Sequence, residues 1–209
     1  APIGVLLWRA LLQWLGGIGI IVMAIAVLPA LQVGGMQLFR MESSESSEKA
    51  FPRVAQLALG ITSIYVALTA VCAASLWVAG MTGFDSIAHS MTTIATGGFS
   101  TSDQSIGHFD SSSIDWIIVV FMILGSLPFV LYLEAVRGRA KALWQDSQVH
   151  WFFAIIIICA IAIALWQMLA NDVTPYESIR RSTFNVISII TGTGFSTANY
   201  YLWGSFAVT

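Results

Sequence analysis

Four apolar stretches decide most of what this chain can fold into: about Leu11–Leu31, Val54–Ala79, Ile114–Leu133 and Trp151–Leu169. Each approaches the ~20 residues a helix needs to cross a ~30 Å hydrocarbon core. Hydrocarbon offers no partner to a peptide N–H or C=O, so non-helical backbone at that depth must be buried in protein or line a wet cavity. Only 10% of the residues are charged, where soluble domains carry about 25%. The expected fold class is therefore an all-α integral membrane protein. Trp8, Trp77, Trp116, Trp151, Trp166 and Trp203 mostly flank the stretches, as interfacial anchors do. Cys72 and Cys159 both fall inside apolar stretches and read as small apolar fillers rather than a disulfide or metal pair. The chain opens Ala-Pro rather than Met and shows no cleavable signal peptide, which predicts a piece of a longer protein.

Basic residues set the orientation. The link after the first span carries Arg40, Lys49 and Arg53, and the link after the third carries Arg137, Arg139 and Lys141. From Thr82 to Asp115 there is no Lys or Arg, only the acids Asp85, Asp103, Asp110 and Asp115. The positive-inside rule places both basic links in the cytoplasm. Residues 41–53, with the polar run Met41–Lys49, and residues 137–149 are then cytoplasmic linkers.

Between the second and third spans lies a segment too short and too polar to cross. Thr82-Gly83-Phe84-Asp85 fits a capping box, which predicts a short helix over 86–95 ending at a glycine loop. Thr174-Pro175-Tyr176-Glu177 is a second such box, with Pro at the first helical position, and predicts a helix over 175–190. Each helix runs into the tetrad Gly-Phe-Ser-Thr, at Gly98–Thr101 and again, 96 residues later, at Gly194–Thr197. Matching backwards from the glycine pairs His89 with Asn185. The unit that repeats is thus long helix, capped short helix, glycine loop, long helix. Residues 1–40 read as the closing helix of a preceding unit. Residues 54–136 read as one complete unit, with pore helix 86–95, loop 94–99 and inner helix 114–133. Residues 150–209 read as a truncated unit, with outer helix 151–170, pore helix 175–190 and loop 190–195.

This geometry suits a cation. The C-terminal end of a helix carries partial negative charge, and a loop that follows it can aim several carbonyl oxygens at one axis, replacing an ion's water shell as the TVGYG loop of potassium channels does. Against T-V-G-Y, the first copy reads Thr96-Gly97-Gly98-Phe99 and the second Gly192-Thr193-Gly194-Phe195. Phe99 and Phe195 are expected to pack behind the loops. Two loops cannot encircle an ion, so further copies must complete the ring. Simpler readings exist for individual residues. Gly98 and Gly194 could each be a left-handed helix cap, although identical flanks and matched boxes argue against it. Gly16, Gly17 and Gly19 fit close helix packing. Gly125 and Pro128 fit a packed kink in the third span. His89 fits a structural hydrogen bond better than an ion ligand. Arg180 and Arg181 fit ion pairs with Glu177, or a role at the external mouth.

The chain resembles the Trk/Ktr/HKT potassium-uptake family, in its bacterial TrkH type. The resemblance is carried by Gln13-Trp14-Leu15-Gly16-Gly17-Ile18-Gly19-Ile20, by Gly34-Gly35-Met36-Gln37-Leu38, by Ile94-Ala95-Thr96-Gly97-Gly98-Phe99-Ser100-Thr101 and by Ile190–Thr197. It implies four pore units around a pseudo-fourfold axis, of which this chain holds part, with one central glycine per filter. Those glycines would be Gly98 and Gly194. Ala95, Thr96, Gly97, Thr191, Gly192 and Thr193 would supply neighbouring carbonyls to potassium, with Ile94, Phe99, Ile190 and Phe195 in support. It further implies gated uptake of potassium across the bacterial inner membrane, a homodimer, and a cytoplasmic nucleotide-binding ring as regulatory partner. No cofactor, enzymatic activity or nucleic-acid partner is expected, the potassium ion being the permeant. A secondary transporter with re-entrant hairpins is the rival reading, and a sodium/potassium symporter is a variant within the family. The other two filter loops and the intramembrane gate would lie outside Ala1–Thr209.

Overall fold

The computed structural model describes residues 1–31 and 50–198. Gly34–Leu38, the run Met41–Lys49 and Tyr201-Leu202-Trp203 lie outside the described residues. Two long helices come first, α1 (Ile3–Leu31) and α2 (Ala50–Val78), so the linker expected to reach Arg53 is already helical from Ala50. The short helix α3 (Gly83–Ile94) follows, then a 3-10 turn over Ser105–Phe109. Next come α4 (Ser112–Ser126), α5 (Phe129–Val136) and α6 (Lys141–Gln145). The chain continues as α7 (Ser147–Ala170) and α8 (Pro175–Ile190). Among the described residues, Ile3–Met23, Ala55–Val78 and Ser147–Ala170 are each long and apolar enough to cross a membrane.

Hydroxyls inside the second span are satisfied locally. The hydroxyls of Thr62 and Ser75 each donate to the carbonyl four residues back, at 2.8 Å, which spares them exposure to lipid as free donors. Asp146 starts α7 by accepting from the amides of Gln148 (2.8 Å) and Val149 (3.3 Å), two of the donors a helix N-terminus leaves over.

The third span departs from the sequence reading. Instead of one inner helix over 114–133, α4 and α5 meet at 88°. Leu127, ahead of Pro128, is extended at φ −70°, ψ 147°, the conformation a following proline favours. Pro128 has no N–H, so the carbonyl of Leu124 loses its helical partner. The hydroxyl of Tyr132, one turn into α5, donates to that carbonyl at 2.7 Å instead. Break and repair lie within eight residues of sequence, and the kink expected from Pro128 becomes a corner.

Each short helix lies in the arms of its own outer span, α3 against α2 and α8 against α7, while α4 touches both short helices and α1 closes on α3. The core between them holds Ile61, Tyr65 and Leu76 from α2, Met122 from α4 and Phe184 from α8. Cys72 is buried in the same core and Cys159 half-buried on α7; neither is bridged. Gly125 lets α4 run close past the end of α3, since a Cβ there would stand 2.9 Å from the carbonyl oxygen of Ile94.

Candidate functional site: two loops at the ends of the short helices

The two short helices deliver their C-termini to adjacent loops. At the start of α3, the Thr82 hydroxyl accepts from the Asp85 amide at 3.1 Å and donates to its carboxylate at 2.7 Å. The other carboxylate oxygen of Asp85 takes the Thr101 hydroxyl, at 2.7 Å. One acid therefore joins the head of the helix to the tail of its own loop. The second copy is built differently. Thr174 makes no side-chain cap bond, and Glu177 is turned down the helix to pair with Arg181, one turn on. Pro175 at the first position leaves one donor fewer to satisfy. The capping box anticipated at Thr174–Glu177 is not formed.

The loops share one backbone pattern. Ala95 and Thr191 end their helices in the right-handed region, at φ −73° and −76°. Thr96 (φ 49°) and Gly98 (φ 67°) are left-handed in the first loop, and Gly192 (φ 71°) and Gly194 (φ 84°) in the second. Left-handed residues at alternate positions turn the peptide planes between them away from a helical course, so the carbonyls no longer bond back along the chain. Both loops are pinned at equivalent points. The Thr92 hydroxyl donates to the Phe99 carbonyl at 2.8 Å, and Ser188, 96 positions on, donates to the Phe195 carbonyl at 2.6 Å. Gly98 N bonds Thr92 O at 3.4 Å and, 96 positions on, Gly194 N bonds Ser188 O at 3.1 Å. Among the described residues, no hydrogen bond ends on the carbonyls of Ala95, Thr96, Gly98, Thr191, Gly192, Thr193 or Gly194. Thr193 is buried, Ala95, Thr96, Gly98 and Thr191 are half-buried, and Gly192 and Gly194 are exposed; a cluster of such free carbonyls is a ready set of ligands for a hard cation.

Gly97 differs from the rest of its loop. Its carbonyl accepts from Gln13 Nε2 at 2.9 Å, and the Phe99 amide donates to Gln13 Oε1 at 3.2 Å. A single side chain from α1 thus clamps the back of the first loop. Gln13 stands one residue before Trp14, whose carbonyl accepts the Tyr65 hydroxyl at 2.9 Å and whose indole N–H donates to Thr69 at 3.0 Å. Gly17, one turn later, lets α1 settle onto Ala95 and Tyr65. Gly16 and Gly19 have nothing within 4 Å among the described residues, so only the middle glycine of that motif serves close packing here.

The two loops also meet each other. A Cβ on Gly98 would fall 1.8 Å from the carbonyl oxygen of Thr193, so no residue larger than glycine fits there without moving backbone. Phe195 is buried and lies 6.0 Å, ring to ring, from His89 of the other unit. Phe99 is only half-buried, with the Arg9 guanidinium 4.3 Å above its ring. Of the two aromatics expected behind the loops, one braces the neighbouring short helix and the other faces a cation from α1. Ile94 is buried at the end of α3, and Ile190, at the end of α8, is half-buried against the core.

His89 is wholly buried and structural in its contacts. Nδ1 faces the Asp85 carbonyl at 2.8 Å, and Nε2 faces the Ser100 hydroxyl at 2.9 Å. A carbonyl can only accept, so Nδ1 carries the proton, and in the neutral ring the Ser100 hydroxyl donates to Nε2. Asn185 occupies the matching place, donating to the Arg181 carbonyl at 2.8 Å and lying 3.3 Å from the Thr197 hydroxyl. In both units the tetrad hydroxyls are therefore fasteners to the short helix. Arg181 pairs with Glu177 as anticipated, but Arg180 reaches across to Asp115 on α4, at 3.5 Å, and to the Ser112 hydroxyl, at 2.6 Å. Gln13 and Asp115 are supporting residues to which the sequence reading gave no such role. A lone amide among apolar residues in the first span was the available signal for Gln13.

Known proteins are similar to this chain in sequence and in fold. A family described as TrkH, cation transport protein, matches residues 1–207. The Trk system potassium uptake protein TrkI of Halomonas elongata is 42% identical over 98% of this chain and 42% of its own length. The Trk system potassium uptake protein TrkH of Escherichia coli is 41% identical over 98% of this chain and 43% of its own. The crystal structure of the potassium transporter TrkH from Vibrio parahaemolyticus superposes with a TM-score of 0.87 at 37% identity, covering 99% of this chain and 42% of that one. The chain therefore spans less than half the length of these relatives. It is a helical membrane chain, and it belongs to the TrkH family of cation transport proteins.

Proposed function

We propose that this chain contributes two adjacent quarters of a potassium-selective filter to an uptake protein of the bacterial inner membrane. The observation that carries this reading is the pair of loops, 96 residues apart, each with two alternating left-handed residues and with carbonyls that, Gly97 apart, no hydrogen bond takes among the described residues. The ion is held by backbone oxygens of Ala95, Thr96 and Gly98 on one side and of Thr191, Gly192, Thr193 and Gly194 on the other. Gly97, whose carbonyl Gln13 engages, moves from ligand to support. The negative ends of α3 and α8 add to the field at the same place. Permeation is passive and gated, without covalent chemistry, and two further units complete a pseudo-fourfold ring. The relatives' names, potassium uptake proteins of a Trk system, support the choice of ion. A homodimer and a cytoplasmic nucleotide-binding ring are the assembly this reading entails.

Gly98→Ser and Gly194→Ser, made in the full-length protein, test it. Potassium-over-sodium discrimination in uptake-deficient cells at low potassium should fall in both, and further in Gly98→Ser, where Thr193 blocks the added side chain. Unchanged discrimination in both variants refutes the filter assignment.

A further inference from the structure

The 3-10 turn over Ser105–Phe109 belongs to the first unit, yet two of its hydrogen bonds go to the second. Ser105 Oγ accepts from the Ser196 amide at 3.1 Å, and the Gly107 amide donates to the Ser196 carbonyl at 3.2 Å. Both backbone groups of Ser196, the second residue after Gly194, are thereby held by one turn. A Cβ on Gly107 would stand 2.9 Å from the Thr197 carbonyl oxygen, so the turn lies flush against the second tetrad. The turn is itself fixed in place. Ile106 is fully buried, and the Phe109 ring packs edge-on against His89 at 5.3 Å. Ser105 is left-handed, at φ 53°, a conformation that costs a non-glycine residue energy and persists only where surrounding contacts impose it.

We propose that this turn is a strap that sets the spacing between the two filter loops, with Ser105 and Gly107 as positioning residues for ion selectivity. The inference rests on the reading of the loops as a filter. The second loop is fixed on one side by Gly98, against which Thr193 O lies, and on the other by the strap at Ser196. Selectivity depends on where carbonyl oxygens stand, so a strap that relaxes lets the second loop shift relative to the first. No atom of the strap touches the ion, and the effect passes entirely through backbone position.

The test uses the full-length protein in uptake-deficient cells and in proteoliposomes, with potassium, rubidium and sodium as probes. Ser105→Ala removes the acceptor, and Ser105→Gly removes it while relieving the left-handed strain. Both should raise the KM for potassium and lower the potassium-to-sodium ratio by about three- to tenfold, the range set by losing one hydrogen bond, with Vmax nearly unchanged. Gly107→Ala should lower the ratio further, and Gln104→Ala, beside the strap but exposed, should match the parent protein. A scaffold role alone would reduce Vmax or protein level and leave the ion ratio as it is. The strap is refuted if Ser105→Gly and Gly107→Ala both transport with the parental ratio while Gly98→Ser does not. If Gly98→Ser also keeps the parental ratio, the filter reading fails first and the strap with it.

Discussion

Gln13 offers the sharpest test of how the first loop keeps its shape. Its amide makes two bonds to one loop, Nε2 to Gly97 O at 2.9 Å and Oε1 from Phe99 N at 3.2 Å. Gln13→Leu keeps the volume and removes both. Each bond is worth about 0.5–1.5 kcal/mol net, and a buried group left without a partner costs about 1–3 kcal/mol. The loop is half-buried, so water entering from the loop side would partly replace the amide, and the lower figures apply. About 2 kcal/mol for the pair shifts the balance between the clamped and released loop by roughly 30-fold. Gln13→Glu keeps an acceptor for Phe99 N but sets a second acceptor against Gly97 O, so it should not restore the clamp. The assay is competitive uptake of potassium against sodium by the full-length protein, with protein level measured in parallel. Discrimination should fall below the parent in both Gln13→Leu and Gln13→Glu. Parental discrimination in Gln13→Leu at normal protein level would refute the clamp.

Three further outcomes follow from the same geometry. Thr96 is left-handed where its counterpart Gly192 is glycine; Thr96→Gly should relieve about 1–2 kcal/mol of strain, partly offset by about 0.5–1 kcal/mol of chain entropy, so thermal melting of the purified protein should rise slightly rather than fall. Arg180→Met strands Asp115, a pair with side chains only 15% and 8% exposed, and should destabilise by about 3–5 kcal/mol; Arg180→Met with Asp115→Leu should recover most of that loss, and a double variant no better than the single would contradict the pairing. Tyr132→Phe leaves the Leu124 carbonyl without a donor at the α4–α5 corner and should cost about 1–2 kcal/mol of stability, with the potassium-to-sodium ratio untouched; a changed ratio would mean that the corner reaches the filter.

Much of the fold was legible because its signals are local. Apolar length marks a span wherever it occurs, Thr82 and Asp85 announce a helix start, and a repeated Gly-Phe-Ser-Thr marks a repeated turn. The paired helices came out of the string within a few residues: α3 runs Gly83–Ile94 against a reading of 86–95, and α8 runs Pro175–Ile190. Where a local signal had a competitor, it misled. Glu177 could cap Thr174 or pair with Arg181, and an ion pair one turn down the helix prevailed. Pro128 could bend or break the span, and Tyr132 made the break affordable by supplying the missing donor.

The sequence by itself determined that this is a membrane chain of repeated units, each presenting a glycine loop at the end of a short helix. Period, apolar length and turn chemistry are properties of neighbours along the chain, so they can be read there. Only the tertiary structure decided which residues hold those loops. Gln13 meets Gly97 across 84 positions, Thr193 fills the space over Gly98, and Ser105 takes the amide of Ser196 across 91. Such contacts depend on where separate helices pass one another in space, and no pattern of neighbouring residues encodes that distance.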